Sequence, residues 1–386
     1  MKKPTLLYVS PFWPMRSGIS EYSEHLVRGL QQFFDVTLLT DNYTLENTEL
    51  KKSFNVIKYC DTQTYDVFEH IIYNFGNNPD FHSYMYEMIQ NYPGYIILHD
   101  FVLYYLTIGY YENRNQAFQK IYELAGIEAV QMVKDSLKNN PNPELLHHKN
   151  LAAQLPLNKE ILTLSKGILV HSNYTKKQVQ CIVPDKLVLK IHLVQPLIEM
   201  STDTNFLNKM FGIKQGEYII GSLGYIAETK QNRLACMAVE QYNQTHEEKI
   251  HYVMIGEGDY VDNFIGQYIH KTGFINNDAF YAAIQSCDLI LNLRYPYNGE
   301  SSATLLQCMA LGKPCIVTDI GWFGELPNET VVKESVELTV EQLCCEIERL
   351  KESNLEQLCK NAKDYVVKEC NAVAISEKIF NVLQKN

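Results

Sequence analysis

"TLLYVSPFWPMRSGISEYSEHLVRGLQQFFDVTLLT" (5–40) is the stretch whose order of patterns decides the fold. It opens on a short apolar run, "TLLYVS" (5–10), suited to a strand buried on both faces. After the loop "PFWPMRSGIS", the residues Tyr22, Leu26, Leu30 and Phe33 recur at helical spacing. "DVTLLT" (35–40) is then a second apolar run. Strand, helix, strand in this order implies parallel pairing with helices covering the sheet.

Working outward, similar strand-like runs follow at "HIIYNF" (70–75), "YIILHD" (95–100), "GILVHS" (167–172) and "LVLKIHLV" (187–194). Residues 101–160 differ, being richer in Tyr, Asn, Gln and Lys, and read as a helical insertion with an exposed connector at "NNPNPELLHHKN". A second alternating series starts near 218, with strand-like runs at 218–224, 251–256, 288–293 and 314–319 and a helix-like run at 232–243. The chain closes on an amphipathic helix, "VAISEKIFNVLQ". This predicts an α/β protein of two Rossmann-like, doubly wound domains facing across a cleft. The first spans 1–197, the second 198–372, and the closing helix at 373–386 is expected to pack back on the first. Pro196 and the polar "STDTN" mark the boundary.

With 386 residues, 46% of them hydrophobic, the chain has length and apolar content for two cores. A formal charge of −11 argues against a general nucleic-acid binder, which would present a basic surface. The N-terminal apolar run is short and broken by Pro11 and Pro14, and "FVLYYLTIGYY" (101–111) is about half the length of a membrane span. Ten cysteines without metal-like spacing suit a reduced, cytoplasmic chain in which most act as small hydrophobes.

Open α/β sheets bind ligands beyond the carboxyl ends of their strands, and polar residues gather there in this sequence. Ser17 and Gly18 precede a helix start, where glycine lets a ligand approach the backbone and the first amides attract anions. A tight turn with Ser20 as helix cap explains the same residues. His99 and Asp100 end a strand: the imidazole can donate to a sugar hydroxyl or phosphate and the carboxylate can accept from hydroxyls, or the pair satisfies local backbone groups. His171 repeats the arrangement, with Ser172 or Asn173 as the cap of the next helix. Gly221 and Gly224 permit a close turn, and Lys230 stands near the next helix start, a point charge beside fixed dipoles. "IGEGD" (255–259) is a further glycine-rich strand end.

The richest cluster is "RYPYNGESSATLLQ" (294–307). With a helix starting near Ser301, the amides of 301–304 lack intrahelical partners and favour a phosphate. The hydroxyls of Ser301, Ser302 and Thr304 add donors, whereas Glu300, of the wrong charge for phosphate, suits sugar hydroxyls with Asn298 beside it.

The order of "SGISEYSEHLVRGL", "YIILHD", "GILVHSNYTKKQV", "GSLGYIAETK" and the run from Lys271 to Pro327 resembles glycosyltransferase family 4 over nearly the whole chain. The resemblance implies a GT-B fold and a retaining hexosyltransferase that uses a nucleoside diphosphate sugar, a UDP-sugar such as UDP-glucose being favoured. The acceptor it implies is a saccharide or lipid-linked saccharide, in polysaccharide or glycoconjugate synthesis. It implies that Gly18 lies against the donor diphosphate, that His99 contacts the transferred sugar and that Lys230 binds the diphosphate. Gly273, Phe274 and Ile275 would border the nucleobase, and Asn298, Gly299, Glu300, Ser301 and Ser302 would touch the donor sugar and phosphate. His99, Lys230 and Glu300 are thus the candidate catalytic residues, with Asp100 a candidate for the acceptor.

Two departures stand out. The family often places Arg after the glycine where Tyr225 follows Gly224, so Arg233 or Arg294 would have to supply that charge. Gln307 stands where a ribose-binding Glu is usual, and Glu300 falls one residue closer to it than the family spacing. Gln still hydrogen-bonds a ribose hydroxyl, without a charged acceptor. These departures keep a catalytically silent nucleotide-sugar-binding partner in view, beside a GT-B-like sugar-nucleotide epimerase. No metal motif or cofactor fingerprint stands at a strand end, so the expectation is a metal-independent enzyme without nucleic-acid partners. It works in the cytoplasm, with room for peripheral attachment to the inner face of a membrane.

Overall fold

The computed structural model describes residues 2–61, 64–140, 142, 144–200 and 203–385. By contacts the chain divides into two units: Met1–Val194 with Asn298–Ser301 and Ala372–Asn386, and Gln195–Tyr297 with Ser302–Asn371.

The first unit is built on a parallel sheet of β1 (Thr5–Val9), β2 (Asp35–Thr40), β3 (Asn55–Lys58), β4 (His70–Phe75), β5 (Tyr95–Leu98), β6 (Gly167–Val170) and β7 (Val188–Lys190). Their spatial order is β3-β2-β1-β4-β5-β6-β7, so the winding reverses between β1 and β4. Register pairs Tyr8 with Leu38 on one side and Ile72 on the other. The helix Gly18–Leu30 turns Tyr22, Leu26, Val27 and Leu30 inward. Each fully buried aliphatic side chain of this kind contributes on the order of 2 kcal/mol. Its cap is Ser17, whose Oγ accepts from Ile19 N at 3.2 Å. Ser20, expected as the cap, lies inside the helix and donates its hydroxyl to Met15 O at 2.7 Å.

The closing helix Ala372–Leu383 packs on Gly18–Leu30. Phe380 brings its ring within 5.5 and 5.3 Å of Phe33 and Phe34. The insertion is helical, with Tyr104–Glu112 and Ala117–Asn139 as its main pieces and a break at Gly126 (φ 81) in the second. Within it Glu160 accepts from the hydroxyl of Tyr111 (2.9 Å) and from Lys120 (3.0 Å), and also from the hydroxyl of Tyr86 (2.5 Å) on the helix Pro79–Asn91. The run at 187–194 forms a shorter strand than its pattern suggests, since pairing with β6 ends at Lys190.

The second unit holds a parallel sheet of β8 (Tyr218–Leu223), β9 (Ile250–Ile255), β10 (Ile269–Lys271), β11 (Leu289–Asn292), β12 (Cys315–Thr318) and β13 (Val332–Glu334). The order is β10-β9-β8-β11-β12-β13, which places its reversal between β8 and β11. Gly221 pairs with Ile290 across that point and with Val253 on its other side. The helix Asn232–Thr245 and the helix Val340–Lys351, opened by a Thr339–Gln342 capping box, pack on each other over this sheet. Among the described residues no helix is long and apolar enough to cross a membrane.

Candidate active site

A reversal of winding opens a crevice at the carboxyl ends of the two strands that flank it. In the second unit those ends are the loop after β8, carrying Gly224, Tyr225 and Lys230, and the loop after β11, leading to Ser302. One backbone bond, Tyr295 N to Thr229 O at 2.8 Å, ties the two loops together.

The first of these loops depends on glycine. Gly224 turns at φ +81, and its N–H donates to Ile255 O at 2.9 Å. A Cβ on Gly256 would fall 2.3 Å from Gly224 O, so the "IGEGD" glycines let two backbones touch. Lys230 ends a short 3-10 turn, Glu228–Lys230, that precedes the helix Asn232–Thr245. Its Nζ reaches back to donate to Leu223 O at 2.6 Å, so the charge sits over the end of β8. Tyr225 projects its ring outward, 67% exposed. Phe274 is similarly exposed beside Gly273 (φ +69), while Ile275 is partly covered.

The helix after β11 runs Ala303–Ala310, two residues later than its sequence suggests. Ser302 takes the cap because its Oγ accepts from Leu305 N at 3.1 Å, with Asn292 Nδ2 (3.4 Å) and Thr304 Oγ1 (3.1 Å) beside it. The helix mouth therefore belongs to Ser302, Ala303 and Thr304, and Ser301 lies outside it. Gln307 is buried within the helix. The two arginines proposed to replace the missing charge part company. Arg233 is exposed, and Arg294 is buried with its guanidinium 5.8 Å from the Phe323 ring.

Asn298–Ser301 belongs with the first unit, where Thr175 Oγ1 donates to Gly299 O at 3.2 Å. The Glu300 carboxylate accepts from Asn298 N at 2.9 Å, so it braces its own loop before any sugar is bound. At the first unit's reversal the Gly18 position is open: a Cβ there meets nothing within 4 Å.

His99 differs from its expected role as an available donor. Its Nε2 lies 3.2 Å from Asn74 Oδ1 and its Nδ1 lies 3.3 Å from His171 Nε2, so both ring nitrogens face protein. Burial, reinforced by the neighbouring His171 and His82, holds its pKa well below the ordinary histidine value, and the ring is neutral. Asp100 Oδ2 accepts from Asn77 N at 3.0 Å. Burial pushes its carboxyl up to about 6 against that hydrogen bond, and the Glu300 charge adds to the rise. His171 carries little weight in the sequence, and Asn74 is easily passed over there; its one signal is an asparagine inside the apolar run "HIIYNF".

Residues 217–352 match the family model described as glycosyl transferases group 1. No curated protein sequence matches the chain. Among solved structures, a sucrose-phosphate synthase from Thermosynechococcus elongatus superposes with a TM-score of 0.69 at 14% identity, over 99% of each chain. Anabaena HepE in complex with UDP-glucose gives 0.66 at 13% identity, over 99% of this chain and 100% of that one. A glycosyltransferase from Rickettsia africae gives 0.60 at 14% identity over the full length of both. The chain thus has the two-sheet GT-B fold, and its second unit is similar over residues 217–352 to glycosyl transferases group 1.

Proposed function

We propose that the protein is a retaining glycosyltransferase that moves a hexose from a nucleoside diphosphate sugar to a hydroxyl of a saccharide or lipid-linked saccharide. A UDP-sugar such as UDP-glucose is the favoured donor, a choice supported by the UDP-glucose complex of HepE. The observation that carries the reading is the Tyr295–Thr229 backbone bond, which ties the Lys230 loop to the loop opening the Ser302 helix.

A diphosphate suits that place. Helix-mouth amides at Ala303 and Thr304 and the hydroxyls of Ser302 and Thr304 are fixed donors, and Lys230 adds a full charge. Lys230 exchanges its neutral carbonyl partner Leu223 O for an anionic phosphate oxygen, a stronger bond because both partners are then charged. Preorganised donors of this kind stabilise the departing diphosphate, and such stabilisation is usually what lowers the barrier most. Gly273, Phe274 and Ile275 serve the nucleobase, and Gln307 serves the ribose. From the first unit, Gly18 serves the phosphate, while His99, Glu300 and Asn298 serve the transferred sugar and Asp100 the acceptor. The sequence offers no obvious nucleophile for a covalent intermediate. The acceptor proton passes to the leaving phosphate oxygen on the face the diphosphate leaves, and no metal is required. The ten thiols suit the cytoplasm, and a lipid-linked acceptor would bring the protein to the inner membrane face.

The rival reading is a silent nucleotide-sugar-binding partner, favoured by an exposed Tyr225 in a cation's place and a buried Gln307. A thermal-shift screen against UDP-, GDP-, ADP- and TDP-sugars identifies the donor, and transfer assays with the stabilising donor follow. Stabilisation without turnover for any acceptor supports the silent partner and sinks the enzyme.

A further inference from the structure

His99 and His171 lie 72 residues apart in sequence and form one chain of contacts beyond the carboxyl ends of β5 and β6. It runs Asn74 Oδ1 to His99 Nε2 (3.2 Å), His99 Nδ1 to His171 Nε2 (3.3 Å), and His171 Nδ1 to Ile191 O (3.4 Å). The Asn74 amide is oriented by Nδ2 donating to Val9 O at 3.3 Å, and Tyr8 Oη approaches Oδ1 at 3.1 Å. Asn74 therefore offers His99 an acceptor, and His99 Nε2 is the donor.

Counting protons narrows the rest. Both ends of the chain, Asn74 Oδ1 and Ile191 O, are acceptors, so three hydrogen bonds would need three protons on the four ring nitrogens. Two neutral imidazoles carry two. The arrangement that bridges the two imidazoles leaves the longest contact, His171 Nδ1 to Ile191 O, unbridged and points His171 Nε2–H into His99 Nδ1. A third proton is opposed by burial at both rings. The Tyr22 ring, on the helix Gly18–Leu30, stands edge-on to both imidazoles at 4.7 and 5.5 Å and leaves them little freedom to turn.

We propose that His171 is a positioning residue for His99: by donating into Nδ1, opposite Asn74 at Nε2, it holds the imidazole in one tautomer and keeps a proton off its second nitrogen. The titratable groups around the pair are Tyr8, Tyr22, His82, His192 and Asp100. Of these, Tyr8, Tyr22, His82 and Asp100 make no hydrogen bond to His99 Nδ1 among the described residues. The importance of this for turnover rests on the glycosyltransferase reading, in which His99 meets the transferred sugar; the tautomer itself does not. A neutral imidazole edge accommodates developing positive charge at an anomeric carbon, and a protonated one would oppose it.

The test is a long-range nitrogen–proton NMR spectrum of the full chain, labelled with nitrogen-15 at histidine and followed from pH 8 to pH 5. Wild-type His99 is expected as the Nε2–H tautomer, unprotonated through that range. In His171→Ala its protonation midpoint should rise by at least about one pH unit, a tenfold easier proton uptake. His171→Gln, whose amide can donate into the same nitrogen, should stay close to wild type. With a turned-over donor, His171→Ala should lower kcat more at pH 6 than at pH 8 with KM for the donor little changed. An Nδ1–H tautomer in wild-type His99 overturns the proposal without any variant, and so does an equal response of His99 to the Ala and Gln substitutions. A protein that shows the expected spectrum yet transfers no sugar loses the enzymatic reading and keeps this one.

Discussion

The two winding reversals share a topology and differ in what fills them. At β1 and β4 the first unit uses side chains on side chains. Ser10 and Ser23 are bonded at 2.6 Å, Tyr8 meets Asn74, and the two histidines close the row. Tyr22 Oη and His82 Nδ1 are buried there without a hydrogen-bond partner among the described residues. At β8 and β11 the second unit uses backbone: glycine turns in contact, a helix mouth, one lysine, and exposed aromatic rings. An internally satisfied polar row sets the shape and protonation of a few groups. A mouth of amides and one cation is suited to capturing a charged ligand.

Breaking the backbone contact should have the largest effect. Gly256→Ala places a Cβ where Gly224 O lies, and is expected to cost about 3 kcal/mol in urea denaturation and to remove nucleotide binding. Gly18→Ala meets open space and should change stability by less than about 1 kcal/mol, while lowering affinity for the donor severalfold. If Gly18→Ala leaves donor affinity untouched, Gly18 is only a turn residue.

The first unit's row should reveal itself through pH. Burial lowers His82 to about 3 and His171 to about 4, and in the second unit His270 to about 4. These folded values lie below the unfolded value near 6.5, so the unfolded chain takes up more protons. The stability they allow is full above about pH 7 and is lost as pH falls from 6.5 toward 4. Asp100 acts oppositely: raised to about 6, it favours the folded state when protonated, and that contribution is lost as pH rises through 6. Asp100→Asn should therefore stabilise the protein at pH 7.5 by roughly 2 kcal/mol and steepen the loss on acidification. Denaturation midpoints at half-unit pH steps check both signs.

How much of this could be read in the sequence follows from burial. β1, β2, β4 and β5 are covered on both faces, so each is a continuous apolar run and stands out. β3, β10 and β13 are edge strands of three or four residues; "VKE" at β13 is only half-buried and carries no pattern. The helix Pro79–Asn91 escapes a sequence reading because tyrosine, methionine and histidine blur its apolar stripe. At the site, the polar cluster at 298–304 is legible as a cluster. Which serine caps the helix depends on which hydroxyl reaches Leu305 N. The His99–His171 contact exists only because β5 and β6 pair, which no local pattern announces.

Two smaller effects sharpen the second unit's side of the comparison. Lys230→Ala should weaken nucleotide binding more than about tenfold by calorimetry, the loss of a charge-assisted bond. An unchanged affinity would remove Lys230 from the site. Tyr225→Arg adds a cation at an exposed position and should tighten diphosphate binding severalfold with no change in fold stability.

The central claim is transfer with retention, and proton NMR of the product tests it most directly. Incubated with its stabilising sugar nucleotide and a saccharide acceptor, with EDTA present, the protein should yield a glycoside of the donor's own anomeric configuration. An inverted product, or a bound donor that no acceptor ever discharges, would contradict it.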